Sequence, residues 1–158
     1  MLKKSLVIVV FLFSSMSYEA VSVKVVRDVY KKLCHVNAYK CPKLAITNDN
    51  EVNASAGLYT IKITQQMLSF LRNKHEAALV LGHELTHYNN NDYYKEGSQQ
   101  MELTADYGGM LLMRKAGYNK CIGLKFMTHM QKVFGDGDWD GEHPKWMIRY
   151  ARLSGGCR

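Results

Sequence analysis

Ala77-Ala78-Leu79-Val80-Leu81-Gly82 runs without a break into His83-Glu84-Leu85-Thr86-His87. A helix of this composition has no polar face in its first half, so it belongs in the interior, and histidines carried there need partners. Asn73 with Glu76 three residues on marks its start as an Asn-led capping box, and Asn89-Asn90-Asn91-Asp92 marks its end. Positions i and i+4 share a helical face with a rise of about 6 Å. His83 and His87 therefore converge, at a spacing that suits one Zn²⁺. Glu84 borders the same face without being forced onto the metal, where it can serve as general base toward water.

Two imidazoles leave such a site short of a ligand. The metzincin pattern would need glycine and histidine where this chain has Asn90 and Tyr93, so that arrangement is excluded. A glutamate from a following helix is the alternative, and Glu102 lies fifteen residues after His87. Asp106, four residues further on the same face, is placed to accept a hydrogen bond from a ligand imidazole and fix its tautomer.

Around this centre the pattern predicts an α+β chain, mostly helical with a small β-sheet. Val25, Val26, Val29, Tyr30 and Leu33 recur at helical spacing. Residues 44–47 are a short β-prone run. Residues 58–63 alternate, with Tyr59, Ile61 and Ile63 on one face and Leu58, Thr60 and Lys62 on the other. Thr64 starts a helix through Met67, Leu68 and Leu71. Another runs from about Ser98 to Ala116 and stops at Gly117, and one more is expected over 120–134. Pro144 opens the last.

Residues 1–17 read as a signal peptide. Lys3 and Lys4 precede a short apolar run, and Ser15 and Ser17 suit cleavage after Ser17, with Ala20 as second choice. That apolar run is shorter than the ~20 residues that span a bilayer, so no transmembrane helix is expected in the mature chain. Residues 18–158 then form one domain, exported to a periplasm or secreted, and long enough to bury a core. Four cysteines fit an oxidising compartment; Cys34 with Cys41 and Cys121 with Cys157 is the expected pairing. The net charge of +7 is scattered singly or in pairs with no nucleic-acid module, so no nucleic-acid partner is expected. Asp136, Asp138 and Asp140 match the first half of an EF-hand loop. Its twelfth position is Met147 rather than a bidentate glutamate, which favours a solvated acidic loop over calcium.

These motifs together resemble the HtpX and CAAX prenyl endopeptidase family of zinc peptidases, over roughly residues 52–153. Four ordered blocks carry the resemblance: Asn53-Ala54 before the 57–63 segment; the stretch from Ala78 through His87; Glu102-Leu103-Thr104-Ala105-Asp106 with Ala116-Gly117-Tyr118-Asn119 closing its helix; and His143-Pro144 with Arg149. The resemblance implies a gluzincin-type metallopeptidase fold holding one zinc per chain by His83, His87 and Glu102, with Glu84 as base. His143 and Arg149 would steady transition-state charge, and Asn53 would lie near the substrate backbone. Lys145-Trp146-Met147 departs from the family pattern, as does the lack of transmembrane or repeat segments.

Two functions follow. The first is hydrolysis of extended or unfolded protein chains, with the 58–63 strand as a sheet edge whose Leu58, Tyr59 and Thr60 pair with substrate. The second is a zinc-binding factor that holds or regulates unfolded exported proteins, against which the intact Glu84 speaks.

Overall fold

Extended backbone at Ser22 passes into helix α1 (Val23–Val36) as the Ser22 hydroxyl accepts the Val25 amide hydrogen at 3.3 Å. The computed structural model describes residues 21–136 and 143–157. The expected signal segment, Asp138 and Asp140 lie outside the described residues. Val26, Val29, Tyr30 and Leu33 form the buried stripe of α1, at the helical spacing expected.

Strands β1 (Lys43–Thr47), β2 (Ala54–Ala56) and β3 (Thr60–Thr64) form one sheet in the order β1-β3-β2. β1 runs parallel to β3, and β2 antiparallel to it. Here the structure departs from the sequence expectation. Ile61 and Ile63 are buried, but Leu58 and Tyr59 precede β3 in a turn, and Tyr59 is 73% exposed. With partners on both sides β3 has no free edge, so Leu58, Tyr59 and Thr60 are not a sheet edge. The outer strand on that side is β2. Its three small residues carry no readable alternation.

Thr64 closes β3 and caps helix α2 (Gln65–Phe70). Its hydroxyl accepts the Met67 and Asn53 amides at 3.1 and 3.2 Å and donates to the Glu51 carbonyl. One side chain thus ends a strand, starts a helix and pins the 51–53 segment that leads into β2.

Helix α3 (Lys74–Asn89) starts at Asn73, whose side chain accepts the His75 and Glu76 amides. Glu76 does not complete the expected box. Fully buried, it takes the Arg72 amide and the Arg72 guanidinium instead, because a buried carboxylate needs a countercharge more than a single amide. From Ala77 to Gly82 every residue of α3 is buried, as the unbroken apolar run requires.

Helix α4 (Gln99–Lys115) begins at Ser98, which caps Met101, and ends before Gly117 at φ +83°. Contacts pair Gly82 with Gly109, His83 with Asp106 and His87 with Glu102, so α3 and α4 run antiparallel. Glycine sets their approach: a Cβ on Gly109 would lie 2.6 Å from the His83 backbone nitrogen.

Helices α5 (Lys120–Gly123), α6 (Lys125–Phe134) and α7 (Trp146–Leu153) follow. The one helix expected over 120–134 is two, interrupted at the fully buried Leu124. Just before it, Gly123 packs so close to α3 that a Cβ would sit 2.8 Å from the His75 carbonyl oxygen. Disulfides join Cys34 to Cys41 and Cys121 to Cys157. Among the described residues, no helix is long and apolar enough to cross a membrane.

Candidate metal centre

Two turns of α3 and the first turns of α4 put His83, His87 and Glu102 together, with their ligand atoms all within 4.8 Å of one another. His83 Nε2 lies 3.0 Å from His87 Nε2 and 3.4 Å from Glu102 Oε2, and His87 Nε2 lies 3.1 Å from Glu102 Oε1. Each histidine is held from behind. His83 Nδ1 is 3.0 Å from Asp106 Oδ1, and His87 Nδ1 is 2.9 Å from Asp92 Oδ2. A carboxylate only accepts, so each Nδ1 carries a hydrogen and each Nε2 faces the other and Glu102, where it can hold a proton or, in its neutral form, a metal ion.

Two ring nitrogens and a carboxylate facing one another at these distances fit a cation, whether a proton or a metal ion. Zinc bonds of 2.0–2.1 Å in a tetrahedron separate ligand atoms by about 3.3 Å, and the separations here straddle that value. The residues fit the metal.

Asp106 sits where the helical spacing expected it, and is itself gripped by Arg149. Nε and Nη2 of Arg149 donate to its two oxygens, each at 2.7 Å. Asp92 is the residue that the sequence reading missed. It lies just past α3 in a short 3₁₀ turn (Asp92–Tyr94), reached through Asn91 in the left-handed region at φ 56°. Asn-Asn-Asn-Asp was the only signal, and it reads as a helix stop unless that turn is known.

The electrostatics follow this geometry. Burial disfavours a charged His83, but hydrogen bonds with Asp106 and Glu102 outweigh it and push its pKa up to about 10. Against its own burial, contact with His83 and His87 holds the Glu102 carboxyl well below the usual carboxylate range. Asp106 is likewise held low against burial, by Arg149 first. Glu84 goes the other way: burial lifts its carboxyl above the usual range, against the pull of the two histidines. A group with that raised affinity for a proton, beside the convergence point, has the character of a base that later acts as acid.

A cavity of about 500 Å³ opens on this centre, and Asn53, His83, Glu84, Glu102, His143 and Arg149 all border it. The His143 side chain is 43% exposed, with Nε2 3.9 Å from Glu102 Oε1. Arg149 is buried; its fork grips Asp106 and its Nη2 also lies 3.6 Å from Glu102 Oε2, so it borders the cavity while bracing the centre. Leu58, Tyr59 and Thr60 are not in the wall; residues 51–54, leading into β2, take that place.

The model of peptidase family M48, a family of zinc-dependent peptidases, matches residues 22–100. The matched stretch holds α1, the sheet and all of α3 with both histidines. No curated protein matches the chain.

Proposed function

The chain belongs to peptidase family M48, and from that premise we propose that it is an exported zinc endopeptidase of the HtpX and CAAX prenyl endopeptidase kind, acting on extended or unfolded protein chains. The observation that carries this is the convergence of His83, His87 and Glu102 with Glu84 buried beside them on the wall of one cavity.

His83, His87 and Glu102 would hold one Zn²⁺ per chain. Bound there, zinc supplies a Lewis acid that polarises a peptide carbonyl and makes water a nucleophile at neutral pH. Glu84 takes the proton from the attacking water and returns it to the leaving amine. Asp106 and Asp92 keep each Nδ1 protonated and each Nε2 aimed inward. His143, half exposed and bordering the cavity beside Glu102, would stabilise the developing oxyanion. Arg149 contributes through Asp106. An extended peptide lies along β2, the outer strand, with Asn53 at its start. Two disulfides suit the oxidising compartment to which a signal at residues 1–17 would deliver the chain.

Glu84→Gln keeps the shape and removes the basicity. Cleavage of unfolded protein should fall by about 10²–10⁴-fold while zinc content by metal analysis stays at one per chain. If the variant cleaves as fast as wild type, the enzyme reading is wrong and a zinc-dependent holding factor becomes the better account.

A further inference from the structure

We propose that a second cavity, between α4 and α7, is a binding site for one tetrahedral oxyanion of the phosphate or sulfate kind. The site is distinct from the metal centre and does not depend on the chain being a peptidase.

This cavity has a volume of about 280 Å³. Gln100, Asp106 and Tyr107 border it from α4, and Arg149, Arg152 and Leu153 from α7. Asp106 and Arg149 also border the cavity on the metal centre, so the ion pair behind His83 is common to the two. Among the residues lining the second cavity, two guanidinium groups meet a single carboxylate, an excess of one positive charge. Both oxygens of Asp106 are already engaged, by Arg149 and His83. Arg149 directs Nε and Nη2 to that carboxylate, while its Nη1 makes no hydrogen bond among the described residues, although the residue is only 5% exposed. Arg152 makes no ion pair, and the Tyr107 hydroxyl no hydrogen bond, among the described residues.

A donor on a buried guanidinium costs free energy when it lacks an acceptor. Water supplies the acceptor but not the missing negative charge; an oxyanion supplies both, through charge-assisted hydrogen bonds. The available donors come from two helices, with Gln100 and Tyr107 on α4 and the two arginines on α7. A carboxylate offers two oxygens in one plane, and a single guanidinium fork engages both. Phosphate or sulfate carries more charge and presents oxygens in several directions, so it can be held from α4 and α7 at once. Held in this way, the anion ties α7 to α4 and keeps Arg149 seated on Asp106.

The test is calorimetric titration of the zinc-loaded chain with inorganic phosphate, sulfate and acetate, at one ionic strength made up with chloride. One phosphate or sulfate should bind per chain with a Kd of about 1 mM or tighter, and acetate about tenfold more weakly. Arg152→Gln removes an exposed charge and should weaken phosphate binding by about tenfold. Lys24→Gln, the same loss of charge on α1, should leave it unchanged. Thermal unfolding is the second readout: phosphate should raise the Tm of wild type and Lys24→Gln, but not that of Arg152→Gln. Phosphate held by the zinc itself would be insensitive to Arg152, and general charge screening would respond alike to both variants; either result overturns the site. So does the absence of saturable binding, or acetate binding as tightly as phosphate. Should Arg152→Gln fail to fold, Gln100→Leu decides: it removes a donor on the α4 side and should weaken phosphate binding by about fivefold, and unchanged affinity would overturn the proposal.

Discussion

The two histidines make the same contact, an Nδ1 to a carboxylate at about 3 Å, but the two carboxylates are supported in opposite ways. Behind His83, Asp106 is 2% exposed and clamped by both arms of Arg149, itself 5% exposed. Behind His87, Asp92 is bound at 2.8 Å by Lys95, whose side chain is 53% exposed. One wall of the centre is an ion pair sealed in the core between α4 and α7; the other is a short turn whose carboxylate is buried, at 7% exposed, but whose cation stands in solvent. Breaking a buried pair leaves a stranded charge and costs roughly 3–5 kcal/mol, whereas an exposed pair contributes about 0–1 kcal/mol. The geometry around the metal is thus built once by the fold and once by a local loop, and the two walls should respond differently to the same kind of damage.

The largest effect should come from Arg149→Met, which strands Asp106. Unfolding by urea should show a loss of about 3–5 kcal/mol. Adding Asp106→Leu removes the stranded charge and should recover most of that stability without recovering zinc affinity. If the double variant binds zinc like wild type, Asp106 does not orient His83 in any way that matters. Next in size, Asp106→Asn keeps an acceptor for His83 but sets an amide against Arg149. Zinc affinity, read by competition with a chelator, should drop by about 10–100-fold.

This asymmetry also explains what could be read from the chain. His83, Glu84, His87, Glu102 and Asp106 lie on two helices, and helical periodicity alone fixes which side chains share a face. The capping residues Asn73 and Ser98 and the stop at Gly117 are equally local signals, as was the short Cys34–Cys41 loop. Three things were not legible. β2 is three small residues, held by the Thr64 hydroxyl and by pairing with β3, so no period marks it and the edge was assigned to β3 instead. Asp92 depends on one left-handed residue, Asn91. Arg149 was placed near the centre only by the family resemblance, and the direction of its fork depends on where α7 docks. Sequence periodicity places residues on elements; it does not dock elements that are joined by loops.

Smaller, and aimed at the softer wall, is Asp92→Ala. His87 Nδ1 then turns to water, which can replace the carboxylate at a rim that is partly open. Zinc affinity should fall by about tenfold, the low end for a residue behind a ligand, with stability within ~1 kcal/mol of wild type. A loss equal to or larger than that of Asp106→Asn would erase the distinction between the walls.

The smallest effect is expected from Lys95→Ala, and its pH dependence has a definite sign. Burial works to raise the Asp92 carboxyl, but hydrogen bonds from Lys95 and His87 win and hold it below its ordinary value. A carboxylate whose folded pKa lies below its unfolded value of about 3.9 stabilises the fold above that pH, and the contribution fades as pH falls through the folded pKa. Removing Lys95 takes away part of that depression, so the variant should be less stable than wild type at neutral pH, with the two curves converging as the solution is acidified below about pH 3.9. Half exposure of Lys95 allows solvent to screen the pair, which limits the neutral-pH difference to less than ~1 kcal/mol and shrinks it further in high salt. Urea midpoints of the two proteins across this pH range, at low and high salt, measure it directly. A difference that persists unchanged into acid, or that exceeds the Arg149→Met effect, would mean that Lys95 acts through something other than Asp92, and that the outer wall is no softer than the inner one.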